Sequence, residues 1–453
     1  MLPSRPLSER PPLPQGPIDR ITRPVRRFLE IESASGIVLV VCTILAMAVA
    51  NSPWSGAYHD FWETHLRVGV GKFELDMSLH HWVNDALMVL FFFVVGLEIK
   101  RELVAGELST AQKAALPVIA AAGGMIVPAG IYLAFQSGQP GERGWGIPMA
   151  TDIAFVVGVL ALFGPRVPFG LKIFLLALAI VDDIGAILVI AVAYSASPSV
   201  LALGLAAAGF ALIYGLNRLG VRTVPVYVLV GAVIWLAMLK SGIHPTVAGV
   251  LLGLLTPASA WVGQATLRDA VADVLMRVSE DNDFEAEDAD YRRLEFAARE
   301  SRSPLERLET ALHPWVGFVI MPVFALANAG VAFRLANIAD PVALAVNAGL
   351  VLGKPVGIVG FSYLAVRLGL AALPSGVNWR MLVAAGCLGG IGFTMSLFVA
   401  GLAFPERPDL LDAGKVGILT GSLTSAILGS AVLVLGLRVR HRIRMLHPSR
   451  GLT

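Results

Sequence analysis

Five ionisable side chains lie inside stretches of the chain that are otherwise apolar. They are Asp85, Asp152, Asp182, Asp183 and Lys354. An ionisable group in the middle of a lipid bilayer costs about 2.5 to 3.5 kcal/mol on insertion scales, so each of these needs a partner or a function. Adjacent carboxylates repel each other as anions, which favours a proton or a cation beside them. Because carboxylate oxygens suit a hard cation, the sequence predicts a site that exchanges protons for such a cation.

Three of these residues are predicted to share one depth. Asp182 and Asp183 lie at the middle of the apolar run 173–194, and Lys354 lies at the middle of the run 341–366. Adjacent residues on a helix point about 100° apart, so one aspartate can face Lys354 while the other opens onto a cavity. An ion pair that only fixes helix packing is the alternative, but it leaves the second aspartate unexplained.

Two apolar runs contain helix-breaking sequences. Residues 146–154 read GIPMATDIA, where Pro148 removes a backbone donor shortly before Asp152, and residues 386–394 read GCLGGIGFT. Unwound backbone at membrane depth occurs only where it is buried in protein or lines a cavity. If the two breaks cross, a carboxylate at Asp152 offsets the half-helix N-termini and an ammonium at Lys354 offsets the C-termini. Close packing of helices is the alternative explanation for the glycines.

The composition of the whole chain fits helices that hold these groups in a membrane. Of 453 residues, 56% are hydrophobic and 15% charged, well away from soluble averages of roughly 45 to 50% and 25%. The 35 basic and 33 acidic residues give no basic excess for nucleic acid. Two distant cysteines, Cys42 and Cys387, exclude a disulfide framework and a cysteine metal site. The sequence therefore predicts an all-α, multi-span membrane protein.

Twelve stretches are long and apolar enough to be predicted as spans, including some short ones. They are 34–50, 79–98, 114–135, 145–163, 173–194, 199–216, 224–239, 242–256, 315–332, 341–366, 381–403 and 416–437. With both termini cytoplasmic, 27 of the 35 Lys and Arg residues fall in cytoplasmic segments and 7 in outer loops, as the positive-inside rule requires. Spans three to five and ten to twelve then form two inverted triplets, each with a broken middle helix.

Outside the spans, the sequence predicts two tails and two inserts. Residues 1–33 are expected to form a disordered cytoplasmic tail and residues 438–453 a basic cytoplasmic tail, on either side of one membrane domain at 34–437. The acidic stretch at about 262–303 is predicted to be a solvated cytoplasmic insert, with regulation as the alternative. Alternating apolar residues around Gly71 predict a hairpin at about 66–77, whose open edges could pair with a second copy of the chain.

Seven segments resemble the NhaA-type Na+/H+ antiporters, and the likeness covers roughly residues 30 to 440. They are 95–103 (VGLEIKREL), 151–155 (TDIAF), 178–187 (LAIVDDIGAI), 239–244 (LKSGIH), 324–330 (FALANAG), 353–355 (GKP) and 392–396 (GFTMS). Inverted repeats with broken helices are a known property of that family, so the resemblance implies the fold predicted above.

The resemblance also implies roles for individual residues in the membrane. Asp183 resembles the principal cation-binding carboxylate, and Asp182 resembles the neighbour that pairs with Lys354 before a cation binds. Thr151 and Asp152 resemble the residues at the crossing of the broken helices, where they tune the local field and can help to hold the cation. Asp85 resembles an additional acid in the outer part of the pathway.

A second group of residues resembles the family's pH-response cluster at the cytoplasmic side. It comprises Glu98, Arg101, Glu102, Glu309 and His313. His244 also resembles a family histidine linked to the pH response; the alternative is a histidine at an outer helix end, satisfied by water. The chain departs from the family pattern at Thr310, where some relatives have a second histidine, and in its long acidic insert.

These observations predict a secondary active antiporter, and not an enzyme, in a bacterial cytoplasmic membrane. It would use the proton gradient to export Na+, and also Li+, with H+ and the cation competing for Asp183 and Asp182. Exchange of two protons for one cation would make turnover electrogenic, and pH would regulate it. No cofactor is expected. A sodium-coupled symporter of a small organic substrate is the alternative, followed by a cation channel and an intramembrane aspartyl protease.

Overall fold

The computed structural model describes residues 32–70, 73–195, 198–221, 223–278, 284–332 and 335–446, and these residues are mostly helical. The helices are α1 (Glu32–Ala50), α2 (Ser55–Glu63), α3 (Leu79–Ala105), α4 (Ala111–Gln136), α5 (Ile153–Phe163), α6 (Phe169–Ala193), α7 (Val200–Arg218), α8 (Val224–Leu239), α9 (Thr246–Leu255), α10 (Gln264–Val278), α11 (Phe284–Glu300), α12 (Pro304–Asn328), α13 (Leu335–Ile338), α14 (Pro341–Arg367), α15 (Trp379–Gly389), α16 (Phe393–Ala403) and α17 (Pro408–Leu446). A 3₁₀ helix, Glu142–Met149, precedes α5. The predicted tails lie largely outside the described residues, although α17 continues to Leu446.

The helices of the described part are those of a multi-span membrane protein. Eight helical runs are long and apolar enough to cross a membrane, or up to ten if each of two bent pairs forms one span; one of the eight, Glu142–Arg166, includes the 3₁₀ helix and α5. The pairs are α1 with α2, bent by 113°, and α15 with α16, bent by 43°. The shorter helices α8 and α9 are also apolar. Large apolar side chains on outer faces, such as Val192 at 83% exposure and Val200 at 84%, would be unfavourable in water and suit lipid.

The predicted hairpin is confirmed. Strands β1 (His65–Val70) and β2 (Phe73–Ser78) pair antiparallel, with Arg67 opposite Asp76; residues 71–72 of the turn lie outside the described part. Asp76 accepts a hydrogen bond from the His65 ring at 2.6 Å, which lowers the pKa of the Asp76 carboxyl, and Arg67 lies 3.0 Å away. These cross-strand contacts fix the register of the hairpin.

The core of the protein lies around α6, whose central residues are buried among the other helices. Helix α4 packs against both α6 and α14. Where α4 and α14 cross, each helix has a glycine, Gly123 and Gly357. A Cβ atom on Gly357 would come 2.1 Å from the carbonyl oxygen of Gly123, so the two backbones approach too closely for any larger residue. Within α14, a π-helical turn (Gly349–Gly353) ends immediately before Lys354. The crossing and the turn place the Lys354 side chain in the interior.

Helix α12 extends beyond the predicted span 315–332 at its start. Helix α12 begins at Pro304, because the Ser303 hydroxyl caps it by accepting the N–H of Glu306 at 3.2 Å and proline suits the first helical position. The Ser-x-x-Glu sequence is a known helix-start pattern that could have located this end. The acidic insert itself is a pair of helices, α10 and α11, although the side chains of residues 275–290 lie outside the described part.

Candidate functional site

Two broken helices meet in the interior of the protein, at the positions that the sequence predicted. After the 3₁₀ helix ends at Met149, residues 150–152 are not helical and Asp152 caps the start of α5. The second break separates α15 from α16 at residues 390–392. The backbone N–H of Asp152 donates to the carbonyl oxygen of Ile391 at 2.7 Å, so the two breaks are in direct contact.

The carboxylate of Asp152 satisfies the N-termini of both half-helices. Its Oδ1 accepts the N–H of Phe155 at 3.1 Å, in the first turn of α5. Its Oδ2 accepts the N–H of Thr394 at 3.1 Å, in the first turn of α16, and also the Thr394 hydroxyl. One negative charge therefore lies between two helix ends that each carry about half a positive charge. Asp152 therefore lies where the two breaks meet.

Lys354 forms a buried ion pair with Asp182. The distance from Nζ to Oδ2 is 2.6 Å, and neither side chain is exposed. The Thr151 hydroxyl lies 2.7 Å from the same Oδ2 and 2.8 Å from the carbonyl oxygen of Gly389, the last residue of α15. Because a hydroxyl has one hydrogen, Thr151 can donate to one of these oxygens at a time. Thr151 thus connects both broken helices to the aspartate of α6.

Asp183 has no such partner. Its Oδ1 is buried and has no hydrogen-bond partner among the described residues, and the same holds for Oδ1 of Asp182. Its chain neighbour Asp182 is also an acid, and that acid is already bonded to Lys354. A buried carboxylate in this surrounding needs a proton or a cation, since an isolated anion in a low dielectric is strongly unfavourable. The pair therefore divides as the helix geometry predicted, with one aspartate bonded to Lys354.

Asp85 lies apart from this cluster. It stands in a π-helical turn (Trp82–Leu87) at the start of α3, and its carboxylate is 3.4 Å from Nε2 of His244. The other ring nitrogen of His244 lies 2.7 Å from the Thr246 hydroxyl. The sequence analysis selected Asp85 and His244 separately and did not predict that they form a pair. His244 packs edge-on against the Phe398 ring of α16, so the pair is next to a broken helix.

The chain is similar to proteins of one known family. The model of the Na+/H+ antiporter 1 family matches residues 26–433. The chain belongs to that family. A Na+/H+ antiporter NhaA of Rhodopirellula baltica is 52% identical over 436 residues, which cover 94% of this chain and 97% of the relative. A Na+/H+ antiporter NhaA of Rhizobium meliloti is 50% identical over 425 residues, covering 93% and 97%.

A third relative, Na+/H+ antiporter NhaA 2 of Vibrio vulnificus, is 49% identical over 420 residues, covering 92% of this chain and 93% of the relative. The family predicted from seven short segments is therefore confirmed over most of the chain. The names of these relatives give no support to the symporter alternative.

In this family member the predicted pH-response residues lie together at the ends of α3 and α12. Arg101 of α3 donates to the Glu309 carboxylate of α12 in a short ion pair, and its other terminal nitrogen is 3.5 Å from Glu102. His313 is 4.0 Å from the Glu98 carboxylate. These contacts bridge the two helices, which also line an open cleft of about 460 Å³.

The family departure at Thr310 has a visible structural effect. Its hydroxyl donates to the Glu306 carbonyl at 2.7 Å and accepts from Arg302 at 3.0 Å. Thr310 lines the same cleft as Glu309 and His313, and it contributes no titratable group there. The cluster in this chain therefore has one ionisable side chain fewer than it would have with histidine at this position.

Sequence reasoning missed two further polar side chains at the crossing. Ser396 donates to the carbonyl oxygen of Ile147 at 2.7 Å, and Ser422 accepts backbone N–H groups at the start of α16. Serine is common in membrane helices as a packing residue, so neither position carried a signal of its own. The contacts of both serines are known only from the structure, which shows the helix breaks packed against Ser396 and Ser422.

Proposed function

We propose that this chain is a secondary active antiporter that exports Na+ in exchange for H+ at Asp183 and Asp182. The observation that carries the proposal is the buried, unpaired Oδ1 of Asp183 beside the Asp182–Lys354 pair. Relatives that match more than nine-tenths of the chain are named Na+/H+ antiporters, which supports the same ions here. Li+ is a second substrate, since it is also a small, hard monovalent cation.

The charge balance of the site explains why a proton and a cation compete. Asp182 is balanced by Lys354, and Asp152 is balanced by two half-helix N-termini of roughly half a charge each. Asp183 is left without a counter-charge, so it binds H+ or Na+. Arrival of Na+ draws Asp182 away from Lys354, because both carboxylates and the Thr151 hydroxyl are oxygen ligands that a hard cation prefers. Binding one substrate therefore displaces the other.

The transport cycle follows from the broken helices in a proposed twelve-span topology. The eight long helices, the two bent pairs and the shorter α8 and α9 supply the twelve spans. Helices α4–α6 and α14–α17 form the two inverted triplets, with cytoplasmic termini in a bacterial inner membrane. Movement of these triplets against the other spans exposes the site to each side in turn. If two protons replace one Na+, turnover carries net charge and responds to membrane potential.

Regulation by pH is assigned to the groups outside the crossing. The cluster of Glu98, Arg101, Glu102, Glu309 and His313 joins α3 to α12, so a change in its charge alters the packing of both helices. The pair of Asp85 and His244 occupies the outer part of the pathway, where protonation of the histidine strengthens the ion pair.

The β-hairpin is the proposed contact between two copies of the chain. Leu66 and Val68 of β1 are about half exposed, and the two-stranded sheet has open edges. A second hairpin can extend this sheet by pairing along one edge.

Substitution of Asp183 by asparagine tests the proposed function. In everted vesicles holding a respiration-driven pH gradient, addition of Na+ or Li+ should collapse the gradient for the native chain, with no organic substrate present. Asp183→Asn should reduce this response to the level of vesicles without the protein, because the amide cannot exchange a proton for a cation. Asp409→Asn is the control, since Asp409 is an exposed carboxylate paired with Arg407 at 2.8 Å.

Full exchange activity in Asp183→Asn would show that another carboxylate binds the substrates. A gradient that collapses only when an organic solute accompanies Na+ would favour the symporter. The dependence of the rate on an imposed membrane potential measures whether turnover is electrogenic.

A further inference from the structure

Helix α16 begins in the interior of the protein, where its first backbone N–H groups cannot reach water. The N–H groups of Gly392 and Phe393 both donate to the hydroxyl oxygen of Ser422, at 3.2 and 3.1 Å. The next N–H, of Thr394, donates to Asp152. Buried N–H groups at a helix start need such acceptors, because leaving one unpaired costs about 1 to 3 kcal/mol. Ser422 and Asp152 therefore divide the start of α16 between them.

The cap comes from another helix because the local residue cannot supply one. A helix is usually capped by the side chain of the residue that precedes it, and here that residue is Gly392. A Cβ atom at Gly392 would lie 2.1 Å from Oγ of Ser396 and 3.0 Å from the carbonyl oxygen of Ala150. A serine or aspartate at this position would therefore require the Ser396 side chain to move and would press against the backbone of Ala150. Asp152 accepts the N–H that a local cap would accept, that of Thr394, and Ser422 of α17, which is 6% exposed, accepts the N–H groups of Gly392 and Phe393.

We propose that Ser422 is a positioning residue for cation binding, which rests on the proposed antiport function. By accepting two N–H groups, it leaves the Asp152 carboxylate free to bridge α5 and α16. Without the hydroxyl, the N–H groups of Gly392 and Phe393 have lost their acceptor. They immediately precede Thr394, whose N–H is bonded to the Asp152 carboxylate. The start of α16 then either draws Asp152 out of place or leaves the crossing more positive, and both effects weaken the binding of a cation.

The test compares Ser422→Ala with Ser425→Ala. Ser425 lies one turn further along α17, is 1% exposed, and stands beside Gly390 of the same break, but its hydroxyl has no hydrogen-bond partner among the described residues. Both substitutions remove one buried oxygen from the same helix. Only the first removes a bonded acceptor, so the pair separates positioning from packing.

In everted vesicles, Ser422→Ala should raise the apparent KM for Na+ and for Li+ roughly threefold to tenfold, the range expected for one lost hydrogen-bonding partner, with little change in maximal rate. Ser425→Ala should keep the native KM. Ser422→Thr, which retains the hydroxyl, should restore most of the affinity. If Ser422→Ala does not reach the membrane, Ser422→Cys carries the test, because a thiol is a weaker acceptor of similar size and should give an intermediate KM.

Three results would overturn the proposal: a native KM in Ser422→Ala, an equal rise in KM in Ser425→Ala, or a threonine variant no better than alanine. The first result counts even where the maximal rate falls, since a loss of maximal rate alone reports damaged folding or movement. All of these outcomes leave the antiport function intact, provided that the native chain exchanges ions and Asp183→Asn does not.

Discussion

Replacement of Lys354 by methionine leaves the carboxylate of Asp182 buried without its cation. At 2.6 Å and an effective dielectric constant of about 20, the attraction between the two charges is about 6 kcal/mol. Removing each ion from water costs several kcal/mol, so the net value of the intact pair is small. Loss of one partner is different, because the remaining charge keeps its desolvation cost and loses the attraction. We expect Lys354→Met to destabilise the protein by about 3 to 5 kcal/mol.

The assay is thermal unfolding of the detergent-purified protein at one fixed heating rate and pH. Lys354→Met should unfold roughly 5 °C or more below the native chain. The double variant Lys354→Met with Asp182→Asn should recover most of this loss, because it buries no charge at the pair. The control is Arg407→Met, which breaks an ion pair of similar length, 2.8 Å, between side chains that are 51% and 62% exposed. This exposed pair should contribute little to stability, because water screens the two charges.

Two results would refute this reasoning. If Lys354→Met unfolds at the same temperature as Arg407→Met, the buried pair does not carry the expected energy. If the double variant is no more stable than Lys354→Met, the loss comes from the packing of the lysine side chain, and the charge left on Asp182 is not its cause.

Two further predictions concern packing and assembly. Gly357→Ala should destabilise the protein by about 1 to 3 kcal/mol or more, because the new Cβ meets the backbone of Gly123 at 2.1 Å. Gly360→Ala is the control, since a Cβ atom there has open space around it. Melting temperatures compare the two variants, and equal values would contradict the close crossing. Replacement of residues 65–78 by a short Gly-Ser link should convert a dimer into a monomer that still exchanges Na+ for H+, as measured by light scattering and vesicle assays. The N–H of Leu79 already lies 2.9 Å from the carbonyl oxygen of Thr64, so a short link suffices, and a persisting dimer would rule out the hairpin contact.

The central part of the site could be predicted because its residues are costly in an apolar sequence. Few arrangements explain an aspartate pair and a lysine at one depth, and helix geometry allows only one of the two aspartates to face Lys354. The choice of Asp182 came from the family resemblance. The helix breaks were predictable for a similar reason, since Pro148 and clustered glycines oppose a continuous helix. The signals were strong because each residue is unfavourable unless its surroundings compensate for it.

Contacts made by residues that are unremarkable in a membrane helix could not be predicted in this way. Ser422 looks like a packing serine until the start of α16 is seen to begin at Gly392, which has no side chain to cap the helix, and to donate two N–H groups to the Ser422 hydroxyl. The same holds for Asp85 and His244, which become one unit only through the packing of α3 against α9. In both cases the information lies in how a neighbouring helix packs. The charged residues can therefore be read from the sequence of this family member, whereas the groups that hold them in place have to be read from how its helices cross.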